Sequence, residues 1–416
     1  MDWIKQFDWP LLICYLLLSI IGLTAIYSAT QGPVAEFLPT YIQGNFRNQL
    51  SWVFLSIILL IAIQFTAPST FQQVSYLFYA VCLIIAILTI FIGAEAGGAR
   101  GWFVIGGLRI QISEMMKLAT VLAVANYLTS RRNVSAEKFR PALTVVLLML
   151  IPAVVITLQN DTGTALVIIA LIPVMLFWSG LPHGISLFMI SPALVGYFTI
   201  LNWKWGIITA IILSFVLFLV HRRPGLPLSS FVVGLLIVIG VQVALFQVLQ
   251  PHQQNRIEAF VNPNIDPQGA GWNVIQAKTA IGSGGMFGKG FMQGTQTQLR
   301  FLPEQWTDFI FCVIGEEFGF MGAGTVLLLL AFMMLRLLSN AADHKHPFAQ
   351  LVMVGVAAIF FLHVFINIGS ATGLMPVIGL PLPLLSYGGS SFMACSMMIA
   401  VCLNLHLYRR QFSIYA

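Results

Sequence analysis

A single carboxylate stands in a polar stretch of an otherwise apolar chain. Residues 262–290 read NPNIDPQGAGWNVIQAKTAIGSGGMFGKG, with Asp266 near the start. Loops of this kind commonly carry function, so Asp266 is a candidate catalytic residue. An Asp-Pro pair also commonly initiates a turn. On spacing alone, both interpretations of Asp266 stay open.

A second group of charges lies at the start of an apolar run. Glu114 and Lys117, in SEMMKLA, are three residues apart, and Arg109 lies just before them. Residues three apart share one face of a helix. Ionisable groups at membrane depth are costly and usually face a cavity or a partner. The pair is therefore either part of a site or a neutralised structural pair.

Four further acids lie close to predicted helix starts. Asp161, in LQNDTGTALV, precedes one apolar run, and Asp308, Glu316 and Glu317 open another. Asp before a helix is a common N-cap, which is the structural interpretation for Asp161 and Asp308. The functional interpretation is that these acids face a cavity.

The glycine cluster GSGGMFGKG fits no nucleotide motif. Phe287 stands where a dinucleotide fingerprint needs its third glycine, and Ser283 and Gly290 break the Walker pattern. Backbone amides near Ser283 and Gly284 could still bind a phosphate, because glycines allow close approach. Loop flexibility and phosphate binding both remain open.

Histidines and cysteines give no metal or disulfide pattern. No histidine pair has metal-ligand spacing on one predicted outer surface. The five cysteines lie within apolar runs without paired spacing, which predicts membrane-embedded thiols.

The elements that position these residues are predicted to be transmembrane helices. The chain is 58% hydrophobic and 8% charged, against about 25% charged residues in soluble domains. Apolar runs of the length that crosses a bilayer recur throughout. This composition predicts an all-α polytopic membrane protein. The twelve predicted spans are 11–30, 50–67, 75–94, 113–130, 141–158, 163–180, 184–201, 204–221, 230–249, 307–337, 349–370 and 384–407.

Charge predicts the orientation of these spans. Basic residues follow the fourth, eighth, tenth and twelfth spans, on the same predicted side as Lys5. The positive-inside rule then puts both termini in the cytoplasm and residues 250–306 outside. The start, MDWIKQFDWP, leads directly into an apolar run and predicts no signal peptide.

Residues 250–306 are too polar to span a membrane and too long for a simple connector, which indicates a functional loop. GWNVIQAKTAIG is predicted to form a surface helix that ends at Gly282. A site with an acid on this loop and basic groups at the outer face suits an amphiphile with an anionic head. The residues alone leave enzyme and transporter open.

The chain resembles the SEDS family (shape, elongation, division and sporulation) of bacterial cell-wall polymerases. The resemblance lies in GARGW, LRIQISEMMKLA, QNDTGTALV, the 262–290 stretch with GTQTQLRFLPEQWTDFIF, and GLPLPLLSYGGSS. These ordered blocks cover nearly the full chain. GTQTQL and PLPLLSYGG are more similar to the elongation members than to the division members.

Three positions depart from the family pattern. Asn160 and Ile112 replace prolines that are usual in the family, which relaxes the backbone restraint. Trp306 stands where a histidine usually precedes T-D-F, so a proton-transfer role at that position is lost. The family usually has ten spans, so residues 184–230 are predicted to be a two-helix insertion within a single membrane domain, 1–416.

The resemblance implies a peptidoglycan glycosyltransferase that polymerises lipid II during cell elongation and shape maintenance. Undecaprenyl pyrophosphate would be the leaving group, so no nucleotide is needed. Asp266 matches the family's loop aspartate. Its implied role is the general base for the acceptor hydroxyl or the ligand of a divalent cation, Mg or Mn.

The resemblance also implies how the substrate is bound. Arg109 and Lys117 would hold the pyrophosphate, Lys278 would assist from the loop, and Glu114 would orient Lys117. The full expected substrate-binding set is Arg109, Glu114, Lys117, Lys278, Ser283, Gly284 and Asp161.

A class B penicillin-binding protein, a transpeptidase, is the implied partner, and the bacterial cytoplasmic (inner) membrane is the implied location. No nucleic-acid partner is expected. Two alternatives remain. A lipid II flippase would need Glu114 and Lys117 but not Asp266, and a non-catalytic scaffold for the transpeptidase would need only apolar span surfaces.

Overall fold

Helices dominate the protein, as the apolar runs predict. The computed structural model describes residues 6–32, 39–96, 99–105, 108–130, 139–221, 224–248, 251–262 and 270–412.

The helices follow the chain in the order of the predicted spans. They are α1 Trp9–Gln31, α2 Thr40–Gln43, α3 Asn45–Gln64, α4 Pro68–Ile92, α5 Ile112–Ser130, α6 Phe139–Leu158, α7 Thr162–Trp178, α8 His183–Leu201, α9 Trp203–His221, α10 Gly225–Val243, α11 Pro251–Val261, α12 Ala270–Ser283, α13 Thr295–Gln298, α14 Ile310–Asp343, α15 Pro347–Thr372, α16 Gly389–Leu407 and α17 Arg409–Phe412. A π-helical turn, Ala244–Val248, continues α10.

A helix overlaps each of the twelve predicted spans. Ten helices in the described part are long and apolar enough to cross a membrane. The other two are α5, which carries two buried charged residues, and α7, which has 17 residues. The polytopic all-α class is therefore confirmed, whereas the count of twelve spans stays a prediction. The split at NWKW is confirmed, because α8 ends at Leu201 and α9 begins at Trp203.

A small antiparallel sheet precedes α5, and the apolar run lengths did not predict it. It consists of β1 Ala94–Ala96, β2 Ala99–Ile105 and β3 Leu108–Gln111, in that spatial order. β2 pairs with β3 from Trp102 opposite Gln111 to Ile105 opposite Leu108. Since β3 leads directly into α5, the sheet determines where α5 begins.

The long loop after α10 contains helices, as predicted. α12 coincides with GWNVIQAKTAIG and ends one residue beyond the predicted Gly282. Its Ala277 and Ala280 are fully buried in a cluster with Phe309, Cys312 and Ala371. The second half of α12 is thereby packed against α14 and α15.

Contacts divide the chain into two compact units. One comprises Met1–Asn133, Leu143–Met175 and Gln276–Ala416, and the other comprises Val134–Ala142 and Leu176–Ile275. The second unit contains α8, α9 and α10, which pack on one another around Val195, Ala210 and Val238. The predicted two-helix insertion at 184–230 falls within this unit and stays a prediction. The first unit holds every described residue of the predicted site.

Candidate active site

The start of α5 carries the charged pair that the sequence predicted. Glu114 lies in the first turn of α5 and Lys117 in the next. Lys117 Nζ lies 2.9 Å from Glu114 Oε1, and the two side chains are only 1% and 2% exposed. An ion pair buried this completely must be well compensated, because desolvating two charges costs several kcal/mol per ion.

A histidine contacts this pair, and no local pattern in the sequence assigned it a role. Lys117 Nζ lies 2.7 Å from Nε2 of His363, a residue of α15 that is 1% exposed. The other ring nitrogen, Nδ1, lies 3.0 Å from the Pro381 carbonyl oxygen. Glu114 Oε2 is buried and has no hydrogen-bond partner among the residues that the structure describes. We refer to Glu114, Lys117 and His363 as the buried triad.

Asp161 caps a helix, and it also ties that helix to the start of α5. Its Oδ1 accepts a hydrogen bond from the Thr164 backbone N–H at 3.1 Å, so the N-cap interpretation is confirmed. Its Oδ2 accepts from Gln111 Nε2 at 2.9 Å and from Ser113 Oγ at 2.7 Å. Asp161 therefore fixes the junction of β3 and α5, four to six residues before Lys117. Its predicted role in substrate binding stays a prediction.

Asp308 is not the N-cap of α14, so the capping interpretation of this residue was wrong. The helix begins at Ile310 and its N-cap is Phe309. The backbone of Asp308 has another role, because its carbonyl oxygen accepts from Asn367 Nδ2 at 3.0 Å. Asn367 thus joins α15 to the segment that precedes α14.

Glu316 holds the glycine-rich segment against α14. The carboxylate is fully buried and accepts from the backbone N–H groups of Gln296 and Thr297 at 2.8 and 2.9 Å. Lys289 Nζ lies 2.7 Å from its Oε1. Ser283 Oγ donates to the Ala280 carbonyl at 3.0 Å and lies 3.4 Å from Glu316 Oε1. Burial of this acid is therefore explained by loop anchoring.

Two glycines of 282–290, Gly284 and Gly288, allow backbone to meet backbone. A Cβ at Gly284 would overlap the Gly315 carbonyl oxygen, and one at Gly288 would overlap the Glu317 carbonyl. Opposite them, α14 is kinked at Gly319, whose φ is 66°. Close packing thus accounts for these glycines without a ligand. The predicted role of Ser283 and Gly284 in binding phosphate stays a prediction.

The outer loop 373–388 brings a tyrosine towards Arg109. The Arg109 side chain is exposed at the end of the sheet. Burial raises the pKa of Tyr387, whereas a hydrogen bond with Asn48 and the positive charge of Arg109 act in the opposite direction. Tyr387 N–H donates to the Trp306 carbonyl at 2.8 Å, which connects this loop to the residue that replaces the family's histidine.

Of the predicted site residues Lys278 and Asp266, the structure describes only Lys278. Lys278 is exposed on α12 and forms no ion pair with any described residue. Asp266 lies outside the described residues, as does the rest of 263–269. The described residues contain no group of three metal-ligating side chains, so they do not by themselves form a site for the expected divalent cation.

The sequence matches the model of one protein family along most of its length. That family is described as FtsW/RodA/SpoVE cell cycle protein, and the matched residues are 8–207 and 202–411. The peptidoglycan glycosyltransferase RodA of Treponema pallidum (strain Nichols) is 33% identical, over 98% of this chain and 99% of the relative. The peptidoglycan glycosyltransferase MrdB of Escherichia coli (strain K12) is 29% identical, over 98% of this chain and 95% of the relative.

Solved structures are similar over the same length. A chain from a study of how a peptidoglycan synthase complex coordinates polymerization and crosslinking is 28% identical, with a TM-score of 0.70 over 97% of this chain and 99% of that one. The rod shape determining protein RodA of Thermus thermophilus is 26% identical, with a TM-score of 0.62 over 97% of each chain.

Proposed function

The chain belongs to the FtsW/RodA/SpoVE family of cell cycle proteins, and from this membership we propose its reaction and substrate. It is a peptidoglycan glycosyltransferase, as its RodA and MrdB relatives are named. Its proposed substrate is lipid II, which it polymerises into glycan strands during cell elongation and cell-shape maintenance. The proposed leaving group is undecaprenyl pyrophosphate.

The structural observation that carries the proposed binding of an anionic, lipid-linked substrate is the buried Glu114–Lys117 pair at the start of α5. A lysine that is 1% exposed is rare unless paired or functional. Glu114 neutralises Lys117 while the pair is buried, and a lipid-linked pyrophosphate would supply the negative charge that the ammonium can stabilise. Arg109, exposed near the start of the adjacent strand β3, would bind the same anionic head.

In the proposed reaction, the 4-hydroxyl oxygen of the acceptor sugar attacks the anomeric carbon of the donor sugar. The new glycosidic bond forms as the bond from that carbon to the pyrophosphate oxygen breaks. The hydroxyl proton passes to Asp266, acting as general base, which is worth about 10²–10⁴-fold in rate. The leaving pyrophosphate keeps the electron pair, and its charge is stabilised by Lys117 and Arg109. Lys278, Ser283, Gly284 and Asp161 complete the proposed binding surface.

The alternative role of Asp266, as ligand of a divalent cation, is a second proposal. The described residues do not supply the other protein ligands. Asp266 would hold such a cation together with the pyrophosphate oxygens, and the cation would offset the negative charge of the leaving group.

The proposed partner is a class B penicillin-binding protein, which crosslinks the strands. Similarity to a chain of a peptidoglycan synthase complex supports this pairing. The proposed location is the bacterial cytoplasmic membrane, with both termini in the cytoplasm and the Asp266 loop outside, because the basic residues are distributed in that way.

Polymerisation of labelled lipid II tests the proposal. The purified chain, in complex with its penicillin-binding partner, is assayed with the partner's transpeptidase blocked by a β-lactam. Asp266→Asn is compared with Asp343→Asn, which removes an exposed acid at the end of α14. We expect strands from the native chain and from Asp343→Asn, and none from Asp266→Asn, with melting temperature and partner binding unchanged.

Other results would redirect the assignment. Equal polymerisation by the native chain and Asp266→Asn would make Asp266 a turn residue and the mechanism wrong. No polymerisation by an intact native complex would favour the lipid II flippase or the non-catalytic scaffold.

A further inference from the structure

The buried triad connects two parts of the first unit that are far apart in sequence. Lys117 lies in the second turn of α5, and His363 lies 246 positions later, on α15. Pro381, the second partner of His363, belongs to the outer loop 373–388. His363 is therefore in contact with both the charged pair and the outer loop.

The contacts of His363 select one protonation state. The Lys117 ammonium has only donors, so Nε2 at 2.7 Å must accept. The Pro381 carbonyl has only lone pairs, so Nδ1 at 3.0 Å must carry the proton. A protonated ring would place an N–H against the ammonium, and the other neutral tautomer would place a lone pair against the carbonyl. His363 is therefore neutral, with its proton on Nδ1.

The outer loop is fixed to α15 at two consecutive residues. His363 donates to the Pro381 carbonyl, and Asn367, one turn later, donates to the Leu380 carbonyl at 2.8 Å. The same Asn367 amide also donates to the Asp308 carbonyl. The position of the imidazole is thus determined by the loop as well as by its own helix.

Two acceptors fix the direction of the third Lys117 proton. An ammonium has three N–H groups in a tetrahedral arrangement. Glu114 Oε1 takes one and His363 Nε2 takes another, and no third partner is found among the described residues. With two bonds fixed, the remaining N–H has a single orientation. Glu114 alone would leave Lys117 free to rotate about one bond.

We infer that His363 is a positioning residue for the proposed glycosyl transfer: its Nε2 orients the free N–H of Lys117 towards the anionic leaving group. The inference rests on the proposed function, because it gives Lys117 the role of stabilising that group. His363 itself touches neither sugar nor pyrophosphate. Its Nδ1 bond to Pro381 serves to hold the ring in the tautomer that accepts from Lys117.

Two substitutions distinguish the role of Nε2 from the role of Nδ1. In His363→Gln, the amide oxygen lies near the position of Nε2 and can accept from Lys117. In His363→Asn, the shorter amide lies near the position of Nδ1 and can donate to Pro381, but it cannot reach Lys117. His363→Leu removes both hydrogen bonds. The Gln and Asn variants each lose one buried hydrogen bond, so they form a matched pair for stability.

The three variants are assayed for lipid II polymerisation in the partner complex, at saturating substrate, with melting temperature as the folding control. We expect His363→Gln to retain the native rate within about threefold. We expect His363→Asn and His363→Leu to lose about 10–100-fold in rate, the loss that is typical when the hydrogen-bond partner orienting a metal-binding side chain is removed. Melting temperatures of the Gln and Asn variants should be similar to each other.

Each other outcome overturns the inference. A native rate in His363→Asn would show that Lys117 needs no second acceptor. A loss in His363→Gln as large as in His363→Leu would show that the tie to Pro381 matters and the contact with Lys117 does not. In both cases the native enzyme still polymerises, so the proposed function stands. If the native complex fails to polymerise, both the function and the inference fail.

Discussion

The sequence predicted the contacts of some charged residues better than those of others. Glu114 and Lys117 were paired correctly because a spacing of three places them on one helix face. Asp161 was predicted to cap a helix and does so, but its bonds to Gln111 and Ser113 come from 50 and 48 positions away. His363 was missed for the same reason. A side chain whose partners lie far along the chain gives no local pattern.

Asn160 gives a residue-scale prediction that runs against the family pattern. Its φ is 63°, and the N–H groups of Asn160 and Asp161 donate to the Thr157 and Ile156 carbonyls after the end of α6. These two bonds form a Schellman motif, with Asn160 in its left-handed position. Proline, the usual family residue, cannot adopt this φ and has no N–H to donate.

We therefore expect Asn160→Pro to destabilise the protein by about 3 kcal/mol or more, and Asn160→Gly to leave stability unchanged or slightly higher. Asn160 is exposed, so neither change disturbs the core. Thermal unfolding of the purified protein in detergent measures both. A proline variant as stable as the native chain would contradict the left-handed conformation.

At the scale of elements, the length of the apolar runs predicted the helices but did not predict the sheet. Strands of three, seven and four residues are too short to be recognised from hydrophobicity beside runs that cross a membrane. The sequence did contain a signal, since Gly-Gly pairs at 97–98 and 106–107 separate the segments that form strands. Such pairs are typical of hairpins. The capping interpretation of Asp308 failed because α14 begins one residue later than a cap at 308 would require.

Packing of the glycine-rich segment on α14 gives an element-scale prediction with an internal control. Gly284 meets the Gly315 backbone, whereas Gly282, in the last turn of α12, has open space where a Cβ would lie. Gly284→Ala should lower the free energy of unfolding by about 1–3 kcal/mol, because backbone must shift. Gly282→Ala should raise it by about 0.4–1 kcal/mol, because a helical glycine loses entropy on folding.

Hydrogen exchange provides the local measurement for these two variants. We expect faster exchange at the amides of Lys289 and Gly290, which donate to the Glu316 and Glu317 carbonyls, only in Gly284→Ala. Identical exchange in both variants would show that the segment does not depend on close backbone contact.

The turn between α14 and α15 gives a pH-dependent prediction. Burial lowers the pKa of His344, and burial with the adjacent His344 lowers the pKa of His346 to about 4. His346 Nδ1 accepts from the Phe348 N–H and caps α15, so the turn requires it neutral. Because the folded pKa lies below the unfolded value of 6.5, the unfolded chain binds protons first as pH falls. Stability present above pH 6.5 should be lost between about pH 6.5 and 4.

His346→Asn isolates this contribution. Asparagine keeps an oxygen that can cap α15 and does not titrate. The melting temperature of the variant should fall less than that of the native protein over the same pH range, while the two agree near pH 8. Parallel curves for the two proteins would assign the pH dependence to other groups.

At the scale of the whole molecule, composition and charge predicted class and orientation, and resemblance predicted activity. The hydrophobic and charged fractions already required a polytopic membrane protein. They could not have shown that the chain forms two compact units, with every described site residue in one of them. That division depends on contacts between α5, α14, α15 and α16, which are separated by up to several hundred residues. Periodicity within one helix carries no information on such contacts.

The predicted orientation can be tested because the native thiols do not interfere. All five cysteines are reduced and buried. A single exposed cysteine added elsewhere is therefore the main target for a membrane-impermeant maleimide. Lys278→Cys places it on α12 of the outer loop, and Lys345→Cys places it in the turn between α14 and α15, and both positions are exposed. The two lysines lie on opposite sides of the membrane if α14 crosses it once.

In cells whose outer envelope is made permeable and whose cytoplasmic membrane is intact, we expect the maleimide to label Lys278→Cys. We expect Lys345→Cys to be labelled only after the cytoplasmic membrane is opened. The positive-inside rule requires this result, because Arg336 and Lys345 flank the same turn. The reverse pattern would place the Asp266 loop in the cytoplasm, where a lipid-linked sugar exported to the outer face could not reach it, and would contradict the proposed function. Labelling of both sites in intact cells would instead show that α14 does not cross the membrane.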